Sequence, residues 1–224
     1  MTAHALAAER FDLTLFDRLD SESDELEEIL AQHAHDLITA FERSAEAGSM
    51  QDPETTYWIE DAIVFAYEYF DATPASIDAD RFAALLCDVF PRKITIERAE
   101  QAAAVIPALQ AFWKWLGREY KLANAPAVLD LLEVLEEDYR EIMNDESSFG
   151  PGKAFITAGI RAGYDMTDQA QAEEFMLLYK AALRQDEVWL PADEPWSSSS
   201  TPEKKTNRRS SKDKIARRAS RARK

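Results

Sequence analysis

The chain has 224 residues, 26 of them basic and 42 acidic, for a formal net charge of −16. Hydrophobic residues make up 46% and aromatics 10%, enough to build a core and to exclude a wholly disordered chain. Six Gly, nine Pro and one Cys exclude collagen-like and disulfide-stapled classes.

Apolar residues recur at spacings of three and four and strand-like alternation is absent, which predicts an all-α fold. The expected organisation is one acidic bundle of about eight helices over 1–196, joined by short links, with a disordered basic C-terminal tail over 197–224. A first helix is expected over 3–20. A second, over 23–47, opens at Ser21, Ser23 and Asp24 and stops at Gly48. Its stripe is Leu26, Ile29, Leu30, Leu37, Ile38 and Phe41. The third, over 55–70, is apolar on most sides (Trp58, Ile59, Ala62, Ile63, Phe65, Ala66) and is therefore expected at the centre. The fourth, over 78–90, is expected to stop before Pro91. The next runs from a Thr95 cap to about Lys121, with a kink or break at Pro107. Asn124 caps a helix that buries Val128, Leu132, Leu135, Tyr139 and Ile142. Gly150-Pro151-Gly152 opens a helix to about Gly163, and Thr167 caps a last one to about Arg184.

Charge is segregated. The segment 197–224 carries 11 bases against Glu203 and Asp213, a net of +9, while 1–196 holds 15 bases against 40 acids, a net of −25. The tail's bases are Lys204, Lys205, Arg208, Arg209, Lys212, Lys214, Arg217, Arg218, Arg221, Arg223 and Lys224, and Ile215 is its one large apolar side chain. It cannot bury a core, and its charge suits either the acidic body or a phosphate backbone. Weak, non-specific nucleic-acid contact through these residues is one expectation, with a ribosome as an equivalent polyanion. Arg208-Arg209-Ser210-Ser211 and Arg217-Arg218-Ala219-Ser220 also fit basic-directed phosphorylation, which would weaken anion binding.

No apolar run reaches the roughly 18–20 residues of a bilayer span, and the longest, 102–109, holds Pro107. The first twenty residues mix acids and bases and predict no secretory leader. With Cys87 alone, a reducing, cytoplasmic setting and a buried thiol are expected, with no membrane association.

At Phe90-Pro91-Arg92-Lys93 and Pro107-Ala-Leu-Gln-Ala-Phe-Trp-Lys-Trp-Leu the sequence resembles a group of uncharacterised bacterial helical proteins, many of which carry a SEC-C zinc-binding motif elsewhere in the chain. Phe149-Gly-Pro-Gly-Lys-Ala-Phe and Ala162-Gly-Tyr-Asp-Met-Thr-Asp resemble the same group, so the likeness spans about 57–183. It implies a helical fold and no particular activity. The zinc site does not carry over, because one cysteine cannot supply it.

Neither a cofactor nor a metal centre is expected. His33 and His35 are two apart, about 200° around a helix, and cannot chelate one ion from one face. Gly150-Pro151-Gly152-Lys153 departs from a phosphate loop at Ser147 and Ala154, and leaves Lys153 as a possible anion site at a helix start. Asp61 and Glu68, seven apart, share a helix face, where paired carboxylates would suit acid–base chemistry, although Arg92 and Lys93 stand nearby as ion-pair partners. Of Trp113 and Trp115, one is expected in the core and the other partly exposed; Trp189 is expected in a strap packed on the bundle, and Trp196 is not placed. The leading expectation is a non-enzymatic interaction or adaptor protein with a protein partner. A nucleic-acid- or ribosome-binding protein and an enzyme using helix carboxylates are the alternatives.

Overall fold

The computed structural model describes residues 11–13, 26–50, 53–96 and 98–185. Among these residues the regular structure is helical throughout and no strand occurs, as the apolar spacing predicts. The expected tail, the strap at Trp189, Trp196 and the caps at Ser21, Ser23 and Asp24 lie outside the described residues. So does most of the expected first helix; within 11–13 the chain is irregular and Leu13 sits in a turn, buried.

The second expected helix is two. Helix α1 covers Leu26–Glu42, and α2 covers Ala45–Gly48. The break falls at Ser44, whose Oγ accepts the Ala47 N–H at 3.1 Å, because serine satisfies a helix start better than it continues one. After a 3-10 turn at Pro53–Thr56, α3 runs Tyr57–Phe70. It ends on Asp71, left-handed at φ 49°, with the Ala72 N–H returning to the Ala66 carbonyl at 3.2 Å.

Pro91 does not end its helix. Helix α4 (Ala79–Ala84) passes through a π-helical turn (Leu85–Val89) into α5 (Phe90–Lys93). A proline in α register would clash with the carbonyl four residues back. The wider π-turn moves that carbonyl out of line, with the Phe90 N–H reaching the Leu85 carbonyl instead. The next donor in this register would be Pro91, which has none. The Leu86 carbonyl it leaves open takes the Tyr139 hydroxyl at 3.2 Å, inside the core.

Thr95 caps nothing. A 3-10 turn at Ala99–Ala104 opens behind Arg98, whose N–H donates to Gln101 Oε1 at 3.0 Å. Helix α6 then runs Val105–Glu119. The expected run is thus divided just before Pro107, where the 3-10 turn gives way to α6, and Pro107 itself lies in the first turn of α6, where a missing N–H is tolerated. Helix α7 (Ala125–Leu135) and α8 (Tyr139–Met143) divide the next expected helix. The Asn124 side chain caps nothing; its Nδ2 instead donates to the carbonyls of Pro74 at 3.0 Å and Ile77 at 2.7 Å, tying α7 to the loop before α4. A 3-10 turn at Glu146–Ser148 leads to α9 (Pro151–Arg161), and α10 runs Gln169–Gln185. Asp168, not Thr167, caps α10: its Oδ1 accepts the Gln171 N–H at 2.9 Å.

The central helix is α6, not α3. Nine of its fifteen residues are buried, against five of fourteen in α3. It packs between α3, α7 and α2, and both Trp113 and Trp115 are enclosed. Trp113 meets Phe82 edge-on at 5.4 Å, and Trp115 meets Phe41 at 5.6 Å and Tyr120 at 5.4 Å. Because α6 is covered on several sides, indoles on different faces are both inside. No helix among the described residues is long and apolar enough to cross a membrane.

Candidate interaction surface

Lys153 lies in the first turn of α9, where Gly150 forces a close approach. The Gly150 N–H donates to the Arg92 carbonyl at 3.1 Å, and a Cβ at residue 150 would stand 2.8 Å from that oxygen. This junction fixes α9 against the end of α5. It aims Lys153 inward, 3% exposed, with Nζ donating to the Met143 carbonyl at 3.0 Å and lying 4.0 Å from the Phe149 ring centroid. Burial pushes its pKa down to about 8. The ammonium thus serves the last turn of α8. An anion at the start of α9 would have to draw it off both partners.

Asp61 and Glu68 sit in different environments. Asp61 is partly buried and its pKa is pushed up to about 6, first by desolvation and then by the neighbouring Glu60 carboxylate. It makes no ion pair among the described residues. Glu68 is exposed. Lys93 stands over the Tyr69 ring at 5.7 Å, and neither it nor Arg92 forms an ion pair with these carboxylates among the described residues. The two carboxylates therefore do not form a shared shielded pair.

His33 is buried against the Phe11 ring at 4.4 Å and His35 is exposed, so the two imidazoles face apart as their spacing requires. Desolvation lowers the His33 pKa, against the opposing pull of Asp12 and Asp36. His33 lines an open groove of about 460 Å³ with Phe11, Asp12, Glu28 and Asp36. Cys87 is partly buried in the π-turn. No group of three metal-ligating side chains occurs among the described residues. The eleven tail bases, from Lys204 to Lys224, lie outside them.

Sequence reasoning missed the outer face of α10. Phe175 and Tyr179 turn onto α9, where they meet Phe155 at 5.3 and 5.4 Å. At roughly 100° per residue, Leu177 then points directly away from α9, with Met176 and Leu178 flanking it. Their exposures are 72% for Leu177, 54% for Leu178 and 39% for Met176, and Ile160 on α9 is 40% exposed. The signal was in the sequence: Phe-Met-Leu-Leu-Tyr is five consecutive apolar residues, more than one helix neighbour can cover. Around Leu177 the exposed surface is small or charged: Ala170, Glu173, Glu174, Lys180 and Ala181. Compared with known proteins, the chain matches no family model, no curated sequence and no solved structure.

Proposed function

We propose that this chain is a non-enzymatic interaction protein, in which a helical body presents α10 to a protein partner and a basic C-terminal segment adds contact with anions. The observation that carries the reading is the outward face of α10, with Leu177 72% exposed on a helix that spends Phe175 and Tyr179 on α9. The polar groups with shifted pKa values point the same way: Lys153 is engaged with a backbone carbonyl and Asp61 stands without a second shielded carboxylate. A cytoplasmic setting fits the single cysteine.

The test is site-specific photo-crosslinking in cells that express the full chain. A photoreactive side chain at position 177 should give discrete protein adducts, and one at exposed Gly152 should give none. No discrete adduct at 177 would refute the reading.

The charge segregation favours a second contact, with nucleic acid or a ribosome, through Lys204, Lys205, Arg208, Arg209, Lys212, Lys214, Arg217, Arg218, Arg221, Arg223 and Lys224. Fluorescence anisotropy with a labelled oligonucleotide should find binding at low salt that neutralising these residues to Gln removes. Equal binding by the neutralised chain would place the contact elsewhere.

A further inference from the structure

We infer that the occupant of the α10 face is a second copy of this chain, bound antiparallel about a two-fold axis at Leu177. The inference rests on the reading of α10 as a docking face and adds the partner. Leu177 is the midpoint of Gln169–Gln185, so a two-fold axis there lays each α10 along the whole of its mate. The same operation sets Glu174 of one copy against Lys180 of the other, twice, and brings Glu173 opposite Ala181. Acids lie in the first half of the exposed face and the base in the second, so antiparallel pairing matches opposite charges whereas parallel pairing would align like with like. Glu174 and Lys180 are six apart and cannot pair within one helix. Ala170 and Ala181 keep the face shallow beside Leu177. Antiparallel helices also oppose their dipoles favourably.

The chain's own C-terminal segments, which follow α10 directly, fit this face worse. Residues 197–224 offer only Ile215 as a large apolar side chain. Residues 186–196 contain Trp189 and Trp196 but carry four acids and no base, and folding back along α10 would bring Asp193 and Glu194 towards Glu173 and Glu174. A single helix of 17 residues, roughly 25 Å long, covers less than the roughly 800 Å² per partner of a standard interface, so the expected dimer is a reversible, concentration-dependent one.

Sedimentation equilibrium of the full chain, from about 1 to about 200 µM, should show a monomer–dimer equilibrium. Glu174→Lys and Lys180→Glu should each weaken it by about tenfold, and the double reversal should restore it to within about threefold, because the swapped pair still matches across the axis. Leu177→Cys should crosslink to a covalent dimer on oxidation of the paired thiols by diamide, whereas Gly152→Cys should not. A monomer throughout the range overturns the inference, as does a dimer in which the double reversal fails to recover. If the chain is a monomer that dimerises only without residues 186–224, that segment is the occupant and the second copy is not. A monomer that still gives a discrete photo-adduct at 177 removes the second copy but leaves the docking face standing; loss of both removes the face.

Discussion

Tyr139→Phe isolates the lock between α8 and the π-turn. The substitution removes one oxygen from a fully buried ring and leaves the packing volume nearly unchanged, so no cavity term enters. The hydroxyl donates to the Leu86 carbonyl at 3.2 Å, and Pro91 cannot take its place. A buried carbonyl left unpaired costs about 1–3 kcal/mol, so the variant should lose about 2 kcal/mol. For a chain of this size that lowers the melting temperature by about 4–8 °C. Burial, and secondarily Cys87, raises the Tyr139 pKa well above its ordinary value, so the hydroxyl stays protonated and the loss should be the same from pH 6 to 9. Urea unfolding of wild type, Tyr139→Phe, Pro91→Ala and the double variant completes the cycle. Pro91→Ala restores an N–H that reaches Leu86 or resets the turn to α register. It should therefore be milder alone and should recover about 1 kcal/mol in the Tyr139→Phe background. A Tyr139→Phe loss under about 0.5 kcal/mol, or strict additivity of the two substitutions, would refute the account of the π-turn.

Three further outcomes follow from the buried charges and the tight junction. Lys153 has a folded pKa of about 8 against an ordinary 10.5, so the unfolded chain binds more protons between those values and wild-type stability rises as pH climbs through that window. Lys153→Met should lack this rise, so its deficit in urea midpoint should be larger at pH 10 than at pH 7. Asp61 is shifted the other way, to about 6 from 3.8, so the folded chain holds the extra proton and stability falls as pH rises from about 4 to about 6. Asp61→Asn should therefore stabilise by about 1 kcal/mol at pH 7 in the same assay, with the gain gone at pH 4. Gly150→Ala puts a Cβ 2.8 Å from the Arg92 carbonyl, a backbone atom that cannot swing aside. It should cost about 2 kcal/mol by thermal melting and speed exchange of the backbone amide at position 150.

Helix content and most core positions were legible because burial of an amphipathic face imposes a three-and-four spacing that survives in the sequence. The breaks were less legible. Ser44 and the Glu136–Asp138 turn interrupt apolar patterns that continue on both sides, so periodicity runs through them. Pro91 was misread because its compatibility with the helix depends on a hydroxyl 48 positions later, which no local rule contains. The centrality of α6 was hidden because Lys114 and Arg118 mark a polar side on it, and only packing shows how much of the rest is enclosed. The inward turn of Lys153 depends on the Gly150–Arg92 contact between distant segments, which spacing cannot reveal. The α10 face could have been read, since five consecutive apolar residues exceed what one packed side accommodates.

Net charge makes the two proposed contacts separable by salt. Each chain carries −16, so two copies repel at long range, over a Debye length of about 30 Å at 0.01 M salt and about 8 Å at 0.15 M. The α10 pairing is short-range: an apolar contact at Leu177, which is indifferent to moderate salt, and two surface ion pairs worth about 0–1 kcal/mol each. Raising salt removes more repulsion than attraction, so the dimer should hold or tighten. Eleven bases on a polyanion behave oppositely, because the gain from counterion release shrinks steeply with salt. Self-association and oligonucleotide binding, measured on one preparation from 0.02 to 0.3 M salt, should therefore diverge. If they fall together, self-association runs through the basic segment of one copy on the acidic body of another, and α10 is not the interface.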